Sequence, residues 1–249
     1  MSGANVSIFP KWVNSIPAFA LVSVAIGFSI VVGGFWTYAT PAYWEVGYQP
    51  EQPINYSHQL HAQELGIDCR YCHTNVEDSR IANIPSTSTC MNCHTVVDDQ
   101  AGYLKKANSL DGSPSAHFAS PDLAALREAH ESGMPVKWKR VHKLPDYVQF
   151  NHAAHLDAGV SCISCHGRVD QMAVVYQQKP LSMSWCLDCH RNPAHDLIDK
   201  SQGGVTNLAW VEDTLAQDGY ADNAGASLAA SLSDNSRRTP PTHCSACHY

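Results

Sequence analysis

The chain has 249 residues, 44% of them hydrophobic and 16% charged, which excludes a disordered acidic chain and a collagen-like one. A net charge of -7 argues against a nucleic-acid partner, since phosphate binding calls for a basic surface. The length allows one large or two small domains.

Lys11 is the only charged side chain before Glu45, so residues 12–44 form a neutral run of 33 residues. Within it, residues 16–38 predict one apolar helix of 23 residues. At 1.5 Å per residue this helix is roughly 35 Å long, enough to cross a hydrocarbon core of about 30 Å. Pro17 fits its first turn, where a missing N–H costs little. Phe9 and Trp12 at one end, and Phe35, Trp36, Tyr38, Tyr43 and Trp44 at the other, read as interfacial aromatic belts. A cleaved signal peptide has an apolar core of about 7–15 residues and a small-residue cleavage site, so an uncleaved anchor over residues 1–38 is expected.

Residues 39–57 hold three prolines and no helical period, which predicts an extended tether. Then a pattern occurs twice. His58 and His61 precede Cys69, Cys72 and His73, followed by Cys90, Cys93 and His94. His152 and His155 precede Cys162, Cys165 and His166, followed by Cys186, Cys189 and His190. His58 to Cys69 is 11 residues and His152 to Cys162 is 10, so two similar modules are expected, at 58–98 and 151–199. Between them, in a connector at 99–150, Ser120, Pro121 and Asp122 start a helix carrying Leu123, Leu126 and His130 and stopped by Gly133. After them, Leu208, Val211 and Leu215 keep helical spacing until Gly219. Residues 220–240 are rich in Ala, Ser, Asp and Asn and are expected to be an exposed connector. Cys244, Cys247 and His248 then make a fifth motif. The expected fold is mainly α and irregular, with short helices and loops and no convincing strand.

Ten cysteines fall into five Cys-x-x-Cys-His runs with none left over. Such a run attaches c-type haem: the two thiols add across the porphyrin vinyl groups, and the histidine lies under the iron. Zinc would use the motifs in pairs, and five cannot pair evenly. Disulfides and thioredoxin-type dithiols give no reason for the histidines. Histidine at 14 of 249 positions follows all five motifs by chance on the order of one time in a million. Five covalently bound haems are expected, and they would supply the apolar core that so polar a chain lacks. Haem is attached outside the bacterial cytoplasmic membrane, so residues 39–249 should lie on the periplasmic face, with the N-terminus inside.

Nine histidines remain for the second axial positions. His58, His61, His152 and His155 are the strongest candidates because each pair recurs at the same place in both modules. For the fifth iron, His142 stands beside His195, His243, Met172 and Met183. His117 and His130 read as structural or exposed.

The paired histidines with Cys-x-x-Cys-His runs resemble class III multihaem cytochromes. That resemblance implies that His58 pairs with His73 and His152 with His166, while His61 and His155 serve neighbouring haems. Asp68-Cys69-Arg70-Tyr71-Cys72-His73-Thr74, Thr89-Cys90-Met91-Asn92-Cys93-His94, Val141-His142-Lys143-Leu144-Pro145-Asp146-Tyr147-Val148 and Pro180-Leu181-Ser182-Met183-Ser184-Trp185-Cys186 further resemble the membrane-anchored pentahaem cytochrome c subunits of bacterial alternative complex III. This implies an electron-transfer subunit with no catalysis of its own. It would be partnered by iron–sulfur and polytopic membrane subunits that oxidise quinol, with a periplasmic cytochrome or terminal oxidase as acceptor. Two alternatives stand beside it. A nitrite reductase-like enzyme with an open haem would carry lysine in one motif, where all five here have histidine. A stand-alone quinol dehydrogenase of the small anchored type has four haems in a shorter chain.

Overall fold

The computed structural model describes residues 10–94, 121–233 and 239–249. Two units are distinguished, residues 1–45 and residues 46–249.

In the first unit a 3-10 turn, Lys11–Ser15, leads into helix α1, Ile16–Tyr38, with Pro17 in its first turn as expected. Lys11–Tyr38 is long and apolar enough to cross a membrane, with a mean hydropathy of 2.3 and no buried face. A helix apolar all round and covered by nothing of its own chain is the pattern of a lipid-exposed span. Two of its hydroxyls are satisfied within the helix, as would suit a hydrocarbon setting: Ser29 Oγ donates to the Ala25 carbonyl and Thr37 Oγ1 to the Gly33 carbonyl, each at 2.8 Å. After α1 a helical turn, α2 (Pro41–Trp44), gathers aromatics at its end. Tyr43 lies edge-on to Tyr38 at 4.6 Å and to Trp44 at 5.3 Å.

The second unit is built from short helices: α3 (Cys69–Cys72), α4 (Thr87–His94), α5 (Pro121–Glu131), α6 (His152–Ala158), α7 (Cys162–His166), α8 (Met183–Arg191), α9 (Leu208–Leu215) and α10 (Ala226–Ser233). No strand occurs among the described residues; an isolated antiparallel bridge joins Val160 and Leu197. Two small apolar clusters hold these pieces together. Val76, Leu156, Ile198, Val205 and Val211 join both modules and the tail, with Ile163 and Trp210 packed against them. Ile54, Met91, Leu123 and Leu126 pack α5 onto the second motif. Helix α5 carries the two leucines inward as their spacing predicts, and Gly133 follows it at φ +67°. Its expected cap, Ser120, lies outside the described residues, as does His117. Gly159 ends α6 at φ +95°, where a Cβ would also stand 2.7 Å from the Ile198 carbonyl oxygen.

Two expectations are corrected. Residues 39–57 are not a free tether. α2 is helical, Ile54 is in the core, Gln177 N–H donates to the Tyr48 carbonyl at 3.1 Å, and Gln52 exchanges hydrogen bonds with the Lys139 backbone at 2.9 Å. Proline breaks helical period without preventing burial of a single well-placed isoleucine. Nor are residues 220–233 merely an exposed connector. A π-helical turn, Ala221–Gly225, runs into α10, with Gly225 and Leu232 buried. Residues 234–238 lie outside the described set. Small residues here allow close approach of backbones, which composition alone makes look like a linker.

Candidate haem sites

The Cys-x-x-Cys-His runs sit on helical turns, and this gives the spacing its chemical sense. At i, i+3 and i+4 on a helix the three side chains share one face, so two sulfurs and an imidazole point the same way. Cys90 to His94 close α4, Cys162 to His166 are α7, and Cys186 to His190 lie within α8. Cys69 and Cys72 bound α3 with His73 as its cap, and Cys244 opens the turn Cys244–Ala246. Local caps start three of the ligand-bearing turns: Asp68 accepts from Arg70 N–H at 2.8 Å, Asn151 from Ala154 N–H and Ser182 from Trp185 N–H, both at 3.4 Å. All ten thiols are free of disulfides. Burial pushes the Cys165 thiol up to about 12, and burial with Asp196 beside it does the same to Cys189.

The histidines carry a common signature. The Nδ1 of His61 meets the Ser57 carbonyl at 2.8 Å and that of His155 the Asn151 carbonyl at 2.7 Å. His73 meets Asn83 at 2.6 Å, His152 meets Arg80 at 2.9 Å, His190 meets Pro241 at 2.7 Å and His248 meets Tyr147 at 3.3 Å, each through Nδ1 to a backbone carbonyl. A carbonyl oxygen only accepts, so the proton sits on Nδ1 and Nε2 keeps its lone pair. This is the arrangement of a metal-ligating imidazole. Asn83 delivers its carbonyl from a left-handed backbone, φ +72°, which asparagine tolerates better than most residues.

Spacing adds to this. The rings of His61 and His94 are 6.2 Å apart between centroids, those of His155 and His190 6.0 Å, and those of His152 and His166 6.5 Å with planes inclined by only 8°. Two imidazoles on opposite sides of one metal, each bonded at about 2 Å, have centroids about 6 Å apart. The residues therefore fit bis-histidine haem. His142, His152, His73 and His58 lie close enough to His166 to disfavour its charge. Burial first, then these neighbours, push His166 down to about 3; burial, His73 and His61 push His58 down to about 4. His166 and His58 are therefore neutral at physiological pH, as ligands must be.

His142 stands against His166, its Nε2 3.3 Å from His166 Nδ1 and the ring centroids 4.3 Å apart at 82°. In that pose it orients His166 through a hydrogen bond and does not face it across a metal-sized gap. Around His248 the ring contact is Tyr147, at 5.7 Å. Among the other candidates for the fifth iron, Met172 is buried, Met183 is 68% exposed at the start of α8, His195 ends the turn Pro193–His195, and His243 is exposed. His130 Nδ1 lies 3.4 Å from Thr87 Oγ1.

Two residues escaped the sequence reading. Tyr56 lies edge-on to His58 at 4.9 Å, and Phe150 lies edge-on to His152 at 4.8 Å. Each aromatic stands two places before the first histidine of its pair, so the repeat itself held the signal. The paired histidines drew attention away from what preceded them.

Residues 39–114 match the Class III cytochrome C family. The chain is also 30% identical over 202 residues to the multihaem cytochrome c subunit of the menaquinone reductase of Nitratidesulfovibrio vulgaris, an alignment covering 73% of this chain and 83% of that one.

Proposed function

The chain belongs to the class III multihaem cytochrome c family, and we propose that it is a membrane-anchored subunit with five covalent haems that conducts electrons within a quinone-linked respiratory complex of the alternative complex III type. The observation that carries this reading is the set of three imidazole pairs at 6.0–6.5 Å, in which His61, His152, His155 and His190 have Nδ1 tied to a backbone carbonyl. Covalent haem supplies one-electron oxidation and reduction when bound.

The chain's own residues do the rest. The cysteine pairs fix each group to a helical turn. His73, His94, His166, His190 and His248 would hold the haem irons of their own motifs, and His61, His155 and His152, which face His94, His190 and His166, would hold three of them from the other side. His58, whose charge His73 disfavours, serves the first motif. With two histidines available to hold each haem of the first four motifs, those sites would offer no open position to substrate, which sets this reading apart from a nitrite reductase-like enzyme. α1 holds the haem-bearing portion at the periplasmic face. Iron–sulfur and polytopic subunits exchange electrons with quinone, and a periplasmic cytochrome or terminal oxidase lies at the other side.

The direction of flow has a second reading. The relative is named for menaquinone reduction, which favours electrons moving toward quinone, whereas alternative complex III oxidises quinol. Purification from native membranes in mild detergent tests both. The expected preparation carries five haems by pyridine haemochrome, shows only low-spin ferric signals and retains iron–sulfur and polytopic partners. A high-spin signal, or an isolated chain active with quinol, overturns the reading. Turnover assays with quinol and with quinone then fix the direction.

A further inference from the structure

We propose that the five attachment motifs are strung through space in the order two, one, three, four, five, so that the second and fifth motifs are the two ends at which redox partners exchange electrons with this chain. The proposal rests on the electron-transfer reading above and adds a path and two docking ends to it.

The order follows from which motifs touch. Between the second and first motifs, Asn92 Nδ2 donates to the Tyr71 hydroxyl at 3.1 Å, each residue lying between the cysteines of its own motif. Cys72 also feels Cys90 and Cys93 as electrostatic neighbours. The first and third motifs also come together, with Cys69 and Cys162 as electrostatic neighbours. Here the two modules are sewn together: His152 N–H and Nδ1 both reach the Arg80 carbonyl, at 3.3 and 2.9 Å, and Ala153 N–H reaches Ser79 at 3.1 Å. Val76 and Ile163 share one apolar cluster across the same seam. The third and fourth motifs meet across α6, whose His152 faces His166 at 6.5 Å and whose His155 faces His190 at 6.0 Å between ring centroids. At the far end, His190 of the fourth motif bonds the Pro241 carbonyl just before the fifth, and Cys186 neighbours Cys247.

An independent observation marks the same two ends. Of the ten cysteines only Cys93 and Cys244 are exposed; the other eight are half-buried. These two belong to the second and fifth motifs. A partner's redox group must come close to exchange an electron, and the inner motifs are shielded by the chain. The duplication explains the departure from chain order: the modules join through their first motifs, so the second motif of one module is turned outward.

The test uses full-length protein with one attachment site removed at a time: Cys90→Ser/Cys93→Ser and Cys244→Ser/Cys247→Ser for the ends, Cys69→Ser/Cys72→Ser and Cys162→Ser/Cys165→Ser for inner sites. Mass confirms the loss of one haem, and spectroelectrochemical titration follows the remaining four. Neighbouring centres repel each other's charge, so deleting one shifts the midpoints of those beside it. Each end deletion should shift one remaining midpoint, and each inner deletion two. An end deletion that shifts two or more, or an inner deletion that shifts one or none, overturns the order. Should an inner variant fail to assemble, the two end variants decide alone. Failure of the electron-transfer reading would look different, as a haem in the unaltered protein that is high-spin.

Discussion

The ring of Tyr56 lies stacked on that of His61, centroids 4.4 Å apart and planes inclined by 25°, and Phe150 stands in the same relation to His155 at 4.5 Å and 29°. One aromatic per module thus presents its face to the second histidine of the pair and its edge to the first. Rotation of each imidazole is held by the Nδ1 hydrogen bond at one side and by this ring at the other. Tyr56→Ala removes the ring and should cost roughly 1–3 kcal/mol in unfolding measurements. It should also broaden the low-spin ferric signals, which depend on the angle between axial ring planes. Tyr56→Phe keeps the stack, reproduces the Phe150 arrangement and should change neither. Unaltered spectra in Tyr56→Ala would show that the ring packs without orienting.

His58 differs from its counterpart in the second module. His152 bonds the Arg80 carbonyl through Nδ1, whereas His58 Nδ1 is buried with no partner among the described residues. A hydrogen bond at Nδ1 makes the opposite nitrogen a stronger donor. His58 is therefore the weaker donor of the two, and the iron it serves should have the higher potential of the pair. Potentiometric titration of His58→Met and His152→Met variants locates the two midpoints. A lower midpoint for the His58 iron contradicts the argument.

Much of this architecture is readable in the chain because it is written in local terms. The bounds of α1 follow from an unbroken neutral run, α9 from Leu208, Val211 and Leu215, and the motifs from adjacent cysteines and histidines. What the chain conceals is long-range. Nothing local predicts that Val76 and Ile163 share one apolar cluster, or that Arg80 offers its carbonyl to a histidine 72 residues on. Residues 220–233 misled for a related reason: alanine, serine and glycine lower apparent hydrophobicity while permitting the closest backbone contacts.

Gly225 makes that last point testable. A Cβ built there would stand 2.1 Å from the Ala194 carbonyl oxygen, a backbone atom that cannot swing away. The turn before α10 is thereby seated on Pro193–His195, just beyond the fourth motif, and the Tyr220 hydroxyl donates to the Leu197 carbonyl at 2.9 Å to hold it. Gly225→Ala should lower stability by about 1–3 kcal/mol, read as a fall in Tm, with haem content unchanged. If residues 220–233 were a loose connector the substitution would be neutral.

α1 carries its own prediction. At 23 residues it exceeds the apolar core of a cleavable signal, and Ser29 and Thr37 satisfy their hydroxyls within the helix. The haem-bearing polypeptide should therefore stay in the membrane fraction after carbonate washing and release only with detergent. Its intact mass should include residues 16–38. A mature N-terminus beyond Tyr38 would make the segment a leader instead.

Acid sensitivity should centre in part on Asp68, which caps the first motif's helix and accepts from Thr206 Oγ1 at 2.8 Å, tying module to tail. Hydrogen bonding from Arg70, together with that from Thr206, holds its carboxyl down to about 2. In the unfolded chain an aspartate titrates near about 3.9. The folded value is the lower, so its contribution is fully present above about pH 4 and is lost as pH falls through about 2. The group is 42% exposed, so the effect is small, up to about 1 kcal/mol. Asp68→Asn should lower Tm slightly at pH 7, and the difference from the unaltered protein should shrink on titration toward pH 2. A difference that stays constant over that range would assign the contribution to hydrogen-bond geometry that asparagine cannot reproduce, and not to the charge.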